Sequence, residues 1–554
     1  MTRPRDELRA KIAARCAELG WPDAADIVVE RPADPAHGDW ATPAALALAR
    51  LLKRPPREIA TEIVRGLRGA LDPDRFAEVS VAGPGFINVR LAGRYLRETV
   101  ARILAEPAAY GRSPRLAGRA IDVEFVSSNP TGPLHVGHAR NAVLGDAIAA
   151  LLESQGAAVT REYYFNDAGR QMDALGASVY ARYRQQWESE FPFPEEGYEG
   201  AYIGDLAAEL TAEAGERYRR VPLDDCLPHF RRFAGERISE GIRADLDRFR
   251  VRFDIWFNES TLYENGRLES AIADLRAADA VYDKDGATWF RASAFGDSED
   301  RVLIKSSGQP TYLLPDIAYH RDKHERGFDA AVDVWGADHH SYAIRMQAAL
   351  GALGYPPGWL RTVIYQQISL VEAGREVRLS TRRNRMVTLA ELMDDIGVDV
   401  TRYFLLMRKG DTPMVFDLDL ARRQSEENPV YYVQYAHARI AGVFEKLEEP
   451  SWDPARSGPP DSLGRLVAPT EMDLLRALDD FPDVVSDAAD ALEPHRVTDF
   501  LESLARRLHL WYHAERILVD DEPLARARLG LARATQHVLR EGLGLLGVTA
   551  PSSM

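Results

Sequence analysis

The sequence predicts a multidomain protein with three parts: an α/β amino-terminal module, a doubly wound α/β domain with an insertion, and an all-helical carboxyl-terminal bundle. At 554 residues the chain is too long for one hydrophobic core. Two short apolar runs, residues 120–126 and 331–335, each lead into a turn with glycine and histidine and then a helical pattern. From about residue 421 onward the apolar spacing is helical.

The amino-terminal module is predicted over residues 1–112. An amphipathic helix covers residues 8–19, and His37 lies in a polar turn before a second helix, where we interpret it as a turn residue. A strand pattern around residues 79–89, followed by a further helix, completes a small α/β core. Residues 111–114 then read as a linker to the next domain.

The central domain is predicted over residues 113–420, and its most informative feature is the turn at residues 129–138. This turn joins the apolar run 120–126 to a helical pattern over residues 139–152, so His135 and His138 lie at the carboxyl edge of a sheet, where nucleotides bind. Gly137 leaves room for a ligand, and the following helix offers free N–H groups to phosphate. Imidazoles can donate hydrogen bonds to phosphate oxygens.

The second half of this domain repeats the pattern. The strand at residues 331–335 ends in Gly336, Asp338, His339 and His340, again a polar turn before a helix. Between the two halves we predict an insertion within about residues 165–295, because residues 172–250 are long, charged and mostly helical. The nucleotide fold is expected to resume with the run 302–306.

The carboxyl-terminal part, residues 421–554, is predicted to be a helix bundle. Aromatic residues and alanines alternate there with arginines and glutamates, and a loop rich in Pro, Ser and Gly covers residues 450–461. We interpret the aromatic residues at helical spacing as core rather than as a platform for RNA bases.

Composition sets further limits. The net charge of −16 and the pI of about 5.4 argue mildly against a nucleic-acid partner, although local basic patches at residues 50–57, 217–220 and 382–385 leave it open. Cys16 and Cys226 are the only cysteines, which excludes a disulfide framework and a thiolate zinc cluster. No apolar segment is long enough to span a bilayer, so we expect a cytoplasmic protein.

The turn at residues 129–138 resembles the first signature of class I aminoacyl-tRNA synthetases. Residues 123–141, V-E-F-V-S-S-N-P-T-G-P-L-H-V-G-H-A-R-N, are similar to the arginyl-tRNA synthetase version of that signature. The strings at residues 37–42, 83–88, 428–439 and 545–551 also resemble that family. The resemblance implies a Rossmann-like catalytic domain, an amino-terminal domain that contacts the tRNA elbow, and an anticodon-binding bundle.

The second class I signature, K-M-S-K-S, has an altered counterpart in the loop 378–385. Ser380 matches, Thr381 replaces the second lysine, and Arg378 and Arg382 supply positive charge for the departing pyrophosphate. Arg383 stands where a small residue is usual. A basic surface loop is the alternative interpretation, but beside the first signature we favour catalysis.

The resemblance then implies three sets of site residues. The catalytic residues are His135, His138, Arg378, Ser380 and Arg382. The ATP-binding residues are Pro130, Gly132, His135, Gly137, His138, Gly336, Asp338, His339 and Ser380. The arginine-binding residues are Glu124, Asn129, His138, Glu259, Tyr312, Asp316 and His340. No metal ligands are expected.

A guanidinium group has five donors and no acceptor, so its pocket needs carboxylates. We expect Asp316 and Glu259 to bind the guanidinium, and Glu124 and Asn129 to lie near the reacting carboxylate and amine. Tyr312 precedes Asp316 by one helical turn, so both side chains can face one pocket if that stretch is helical.

The function that the resemblance implies is that of an arginyl-tRNA synthetase. Its partners would be L-arginine, tRNA(Arg) and ATP with Mg²⁺, without zinc or a membrane, and the protein would be a monomer. Adenylate formation would require bound tRNA. Two alternatives remain open: another synthetase or a nucleotidylyltransferase, although such transferases are usually shorter, and an inactive tRNA-binding relative with a degenerate second loop.

Overall fold

The structure is a computed structural model of the chain. It describes residues 3–21, 27–32, 34–167, 169–377, 387–457 and 459–554. The whole second signature loop, residues 378–385, therefore lies outside the described residues.

The amino-terminal module is a three-stranded antiparallel sheet covered by helices. Its elements are α1 Pro4–Glu18, β1 Trp40–Thr42, α2 Ala44–Leu52, α3 Pro56–Ala70, β2 Phe76–Ala82, β3 Phe86–Leu91 and α4 Gly93–Ala105. The strand order is β1-β3-β2, and the tight turn between β2 and β3 places Gly83 and Gly85 at positive φ. His37 ends a short 3₁₀ helix and is exposed, as its turn position predicts.

The central domain is built on a parallel sheet whose strands are connected by helices. Its first part comprises β4 Ala120–Glu124, α5 Val136–Ser154, β5 Ala158–Phe165, α6 Arg170–Gln185, α7 Ala201–Ala214, α8 Leu223–Arg248, β6 Ile255–Asn258, α9 Ser260–Glu264, α10 Arg267–Ala277, β7 Val281–Lys284, β8 Ala287–Phe290 and β9 Arg301–Ile304. Its second part comprises α11 Leu313–Glu325, β10 Ala330–Gly336, α12 His340–Ala352, β11 Leu360–Tyr365, β12 Ile368–Glu372, β13 Arg375–Val377, α13 Leu389–Ile396, α14 Val398–Leu406, β14 Met414–Asp417 and α15 Leu418–Ala421.

The five-stranded sheet has the order β11-β10-β4-β5-β6, and all its neighbours pair in parallel. The chain starts at β4, winds outward to β6, and then returns to lay β10 on the other side of β4. The reversal of strand order between β4 and β10 is a topological switch point, and ligands bind at the carboxyl ends of the strands there. The doubly wound prediction is confirmed, and both histidine turns lie at this edge.

The predicted insertion differs from the structure. Helices α6, α7 and α8 do leave the sheet between β5 and β6, but β6 lies inside the range 165–295 and pairs with β5. The chain therefore leaves the central sheet in two separate segments, one before β6 (α6 to α8) and one after it (α9 to β9), rather than in a single insertion. The expectation that the nucleotide fold resumes at 302–306 is wrong, because β9 belongs to a separate antiparallel sheet with β7 and β8. With four residues, β6 is too short for alternation to reveal it.

The carboxyl-terminal part is helical, as the apolar spacing predicts. Its helices are α16 Pro429–Glu445, α17 Pro454–Ser457, α18 Pro469–Ala491, α19 His495–Ala514 and α20 Glu522–Leu545. Its last residues return to the central domain: the buried Arg402 of α14 donates to the carbonyl oxygens of Leu546 (3.0 Å) and Phe249 (2.8 Å). The bundle is thus joined to the central domain at its base.

Helix α18 joins the bundle to the amino-terminal module through acidic side chains. Asp479 is fully buried and accepts hydrogen bonds from Tyr95 (3.1 Å), Thr99 (3.4 Å) and Arg102 (3.1 Å), all on α4. One turn further along α18, Asp483 pairs with Arg3 at 2.7 Å. These contacts hold the two outer parts of the chain together.

We expect Asp479→Ala to destabilise the amino-terminal module by about 3 kcal/mol, because it leaves the Arg102 guanidinium and two hydroxyl groups without their buried acceptor. Calorimetry of the full chain should show the module's transition at lower temperature. Asp490→Ala is a matched control on the same helix, since Asp490 pairs with Arg115 at an exposed surface. Equal shifts for both variants would contradict a specific role for Asp479.

Candidate active site

The turn after β4 has an unusual backbone. Val126 and Ser127 have φ of 65° and 41°, in the left-handed region that a β-branched residue such as valine rarely enters. The side chain of Asn141 on α5 stabilises this turn: its Oδ1 accepts from the Val126 N–H (2.8 Å) and its Nδ2 donates to the Val334 carbonyl (3.0 Å). Asn141 therefore links the carboxyl end of β4 to β10 across the switch point.

The two signature histidines stack on each other at the start of α5, with ring centroids 3.7 Å apart. His135 caps the helix, and its Nδ1 accepts from the Gly137 N–H (3.1 Å). The Nδ1 of His138 accepts from the His135 N–H (3.4 Å). Because each Nδ1 accepts a backbone hydrogen bond, each neutral ring carries its proton on Nε2.

Burial keeps both imidazoles neutral. It lowers the pKa of His135, and burial together with the neighbouring His135 lowers the pKa of His138 to about 3. At neutral pH the pair therefore offers two uncharged Nε2–H donors. Such donors can stabilise charge that develops on phosphate oxygens without carrying a formal charge themselves.

The glycines of the turn allow close contacts within the protein. A Cβ on Gly137 would lie 2.9 Å from the His135 ring, so glycine is what lets that ring fold over the helix start. Beside Gly132 lies Tyr202 of α7, whose hydroxyl donates to the Thr131 carbonyl (2.6 Å). Pro130 is buried beneath this loop. The insertion therefore covers one side of the signature turn.

The turn after β10 lies across the switch point. Asp338 and His339 are exposed and pair with each other at 3.3 Å (Oδ1 to Nδ1). A Cβ on Gly336 would lie 2.6 Å from the Asp338 carboxylate, so that side chain folds back over the glycine. These three predicted ATP-binding residues thus lie at the same sheet edge as the histidines.

The described chain resumes just downstream of the second signature loop. Arg378, Ser380 and Arg382 lie outside the described residues, so their roles stay predictions. On the downstream side, Thr388 pairs with His135 in an isolated β-bridge, and the Leu389 N–H donates to the Leu134 carbonyl (2.8 Å). The segment that leaves the loop is thus hydrogen-bonded to the first signature.

In addition to burial, three carboxylates from different elements lie close enough to the hydroxyl of Tyr164 on β5 to raise its pKa: Glu124, Glu259 and Asp316. Glu124 ends β4 and is buried, and its Oε1 accepts from Ser127 (3.0 Å). Glu259 is buried at the start of α9 and accepts from the Tyr263 hydroxyl (3.3 Å). The Asp316 carboxylate accepts from the hydroxyl of Tyr342 on α12. The cluster is next to the carboxyl end of β4.

Burial raises the pKa of Asp316 to about 7, even though the hydrogen bond from Tyr342 lowers it, and the nearby Glu124 and Glu259 add to the rise. Burial also raises the pKa of Glu259. When carboxylates repel each other in a partly desolvated site, a cation that binds among them stabilises their ionised form. The cluster is therefore suited to a guanidinium group.

This electrostatic arrangement predicts pH-dependent binding of L-arginine. A cation favours the ionised form of Asp316, whose pKa in the free protein is about 7. Affinity should therefore be highest above pH 7 and fall, by at most about tenfold per pH unit, as pH drops below 7. Calorimetric titration with L-arginine from pH 6 to 8.5 checks this, and constant affinity over that range would contradict it.

Three other predicted arginine-binding residues, Tyr312, Asn129 and His340, are exposed. Tyr312 precedes α11 as its N-cap and is 81% exposed, and its role in arginine binding stays a prediction. Asn129 is exposed and donates to Gln171 (2.5 Å). His340 is exposed and lines a separate cavity of about 450 Å³ beside Ile344. Helical spacing places residues on one face, but the first position of a helix can still turn its side chain to solvent.

Sequence reasoning missed four residues that support the site. Asn141 and Tyr202 shape the signature turn, Tyr342 orients Asp316, and the fully buried Lys323 of α11 donates to Glu124 (2.7 Å). A polar residue directly after the signature was the only sequence signal for Asn141. Tyr202 and Tyr342 come from distant segments that only the fold brings near.

A doubly wound sheet with the histidine signature at its switch point is shared by nucleotidylyltransferases and class I aminoacyl-tRNA synthetases, and a matching catalytic-domain model places this chain among the class I synthetases. Three family descriptions match along the chain: "Arginyl tRNA synthetase N terminal domain" over residues 6–91, "tRNA synthetases class I (R), catalytic domain" over 99–423, and "DALR anticodon binding domain" over 433–554. The chain belongs to the arginyl-tRNA synthetase family.

Individual relatives agree over the whole length. The chain is 47% identical to the arginine–tRNA ligase of Geobacillus kaustophilus, over 99% of this chain and 98% of that protein. It is 44% identical to the arginine–tRNA ligase of Bacillus subtilis, over 99% of both chains. The solved arginyl-tRNA synthetase of Thermus thermophilus superposes with a TM-score of 0.79 at 25% identity, and the match covers 100% of each chain.

Proposed function

We propose that this enzyme activates L-arginine with ATP and transfers the arginyl group to tRNA(Arg), with the guanidinium held between Asp316 and Glu259. The observation that carries the proposal is the cluster of three carboxylates around Tyr164, at the sheet edge that also bears the histidine pair. Family membership supports the reaction, and the geometry supports the residues.

In the first step the arginine carboxylate attacks the α-phosphorus of ATP, an O–P bond forms, and pyrophosphate leaves. The start of α5 offers backbone N–H groups to the phosphates, and the Nε2–H groups of His135 and His138 donate to oxygens that gain charge. Asp316 and Glu259 hold the other end of the substrate and so fix the direction of attack.

In the second step the terminal ribose hydroxyl of tRNA(Arg) attacks the carbonyl carbon of the adenylate, and AMP leaves. No covalent intermediate with the protein is needed, so catalysis depends on positioning and on stabilised charge. Arg378, Ser380 and Arg382 remain our candidates for binding the pyrophosphate in the first step.

Mg²⁺ would enter with ATP. The signature turn offers imidazoles and N–H groups, which suit phosphate oxygens, whereas Mg²⁺ prefers hard oxygen ligands. Across the described residues no group of three or more potential ligands is arranged for a metal ion. We therefore assign the metal to the ATP phosphates and to water rather than to a protein site, and it would neutralise phosphate charge there.

Monomeric state and cytoplasmic location are further parts of this proposal. Aminoacylated tRNA is consumed in translation, and the family's role in that process supports the location. None of the helices that the structure describes combines the length and apolar character needed to cross a membrane. Sedimentation equilibrium at micromolar concentration tests the monomeric state, and a measured mass equal to that of a dimer would contradict it.

The proposed activity is tested by ATP–pyrophosphate exchange across the amino acids, with and without total tRNA. Exchange with arginine alone among the amino acids, and only when tRNA is present, is the expected result. Exchange with another amino acid would overturn the pocket assignment. Absence of exchange while tRNA still binds would favour an inactive tRNA-binding relative.

A further inference from the structure

Lys323 is a fully buried lysine on the inner face of α11. Its ammonium group donates to Glu124 (2.7 Å) and Asp333 (3.0 Å) and lies 3.0 Å from the Asp122 carboxylate. These three acids come from the two strands that flank the switch point, β4 and β10. The lysine therefore lies directly beneath the edge of the sheet that forms the candidate site.

Every packed element brings charged or titratable groups toward this ammonium. They are Asp122 and Glu124 on β4, Glu162 on β5, Asp333 on β10, and Tyr319 and His320 on α11 itself. Of the three acids that contact it, Glu124 alone belongs to the carboxylate cluster around Tyr164. The other two lie deeper in the strands.

The partners of the acids differ. The Asp333 carboxylate also accepts from His320 (2.7 Å), and Lys323 and His320 lower its pKa to about 2 against the effect of burial. Burial raises the pKa of Asp122 to about 7, although Lys323 opposes the rise. For Glu124, burial likewise raises the pKa, and Lys323 is the first of the groups that lower it.

Glu124 thus depends on Lys323 for its charge and for its orientation. A buried carboxylate without a cation tends to take up a proton, and a protonated carboxyl group attracts a cationic substrate far less. The ammonium holds Oε2, while Ser127 holds Oε1. Both oxygens are fixed from below and from the side before any ligand arrives.

We infer that Lys323 is a positioning residue for arginine recognition: it holds the Glu124 carboxylate ionised and aimed into the guanidinium-binding cluster. The inference rests on the proposed function, because it assumes that the cluster binds L-arginine. In this role the buried ammonium group of Lys323 supports the binding of the cationic substrate indirectly, because it acts on the Glu124 carboxylate and does not contact the substrate.

The test compares the Lys323→Met variant with the wild-type enzyme, both as full-length chains, in arginine activation. We expect KM for arginine to rise about 10- to 100-fold, because the contact between an ionised Glu124 and the cationic substrate is lost. KM for ATP should change less than about twofold. We also expect the pH midpoint of arginine binding to move upward, because Glu124 must then ionise without its cation. A purely structural role would not shift that midpoint.

Arg326→Met is the matched control. Arg326 lies just beyond α11, beneath the same sheet, and pairs at 2.5 Å with Glu162, which is not one of the three carboxylates of the Tyr164 cluster. We expect it to lower stability and to leave KM for arginine and the pH midpoint unchanged. Equal changes in both variants, or an unchanged arginine KM in Lys323→Met, would overturn the inference.

If Lys323→Met does not fold, the paired variant Asp122→Asn/Lys323→Met removes one buried charge of each sign and is measured in the same way. Calorimetric binding of L-arginine to wild-type and variant proteins needs no turnover. Failure of wild-type exchange and binding with arginine would overturn the proposed function. Failure of the inference is the separate result in which the wild type binds arginine and the variant binds it equally well.

Discussion

His138→Ala is expected to lower the turnover of arginine activation by roughly two to three orders of magnitude. The variant loses the Nε2–H donor that a buried, neutral imidazole with a pKa of about 3 offers to the phosphates. Arginine binding should change much less than turnover, because the three carboxylates that face the guanidinium stay in place, although His138 is also a predicted arginine-binding residue. Steady-state exchange and direct arginine titration measure the two quantities separately.

Two conservative variants separate the donor from the helix cap. His138→Asn keeps an acceptor near the position of Nδ1, which receives the His135 N–H, but lacks a distal donor. His138→Gln places an amide N–H near the position of Nε2. We expect partial recovery with Gln and none with Asn. Wild-type turnover in purified His138→Ala would contradict a role for this residue in catalysis.

Asp316→Asn is expected to raise KM for arginine by roughly 100-fold or more, with KM for ATP nearly unchanged. The substitution keeps the shape of the side chain and a partner for Tyr342, but it removes the charge that faces the guanidinium. The pH dependence of arginine binding around pH 7 should also weaken, because the carboxylate of the cluster whose pKa is about 7 is gone.

The control for Asp316→Asn is Glu325→Ala, at the exposed end of the same helix, where the side chain pairs with Arg321. It should leave both Michaelis constants unchanged. If Asp316→Asn raised the Michaelis constants for ATP and arginine equally, misfolding would explain the result, and the pocket would have to be assigned to other residues.

The sequence predicts the architecture well because its signals are periodic. Strands β4 and β10 are apolar runs, and α5 has helical spacing, so the central sheet and its two histidine turns could be inferred without structure. The short β6 could not, because four residues between charged helices carry little pattern. The boundaries of the three domains stay predictions.

The site was only partly accessible to sequence reasoning. Motif resemblance selected Glu124, Glu259 and Asp316, which the fold brings together. It could not place Tyr312 or His340, because the direction of a side chain at the start of a helix depends on tertiary packing. It also missed Lys323, since a lysine in a helix normally reads as a solvated surface residue.

The net charge of −16 was a weak argument against RNA, and the structure shows one reason. Some acidic and basic side chains pair with each other between the domains, so the net charge does not tell where unpaired charge remains on the surface. Asp483 and Asp487 on α18 pair with Arg3 and Arg5 of the amino-terminal module, and Asp39 pairs with Arg476. The net charge of the chain is therefore a poor description of the charge on the surface that a partner contacts.

The strand order of the central sheet also bears on how the chain is made. Ile121 in β4 has Ala330 in β10 as its register partner, and the intervening chain includes the whole α6–α8 excursion. During synthesis, β4 and the signature turn emerge from the ribosome long before the strand that completes their edge. Until then the edge of β4 that pairs with β10 has no hydrogen-bonding partner, so the nascent chain exposes an unpaired strand edge on which aggregation can start.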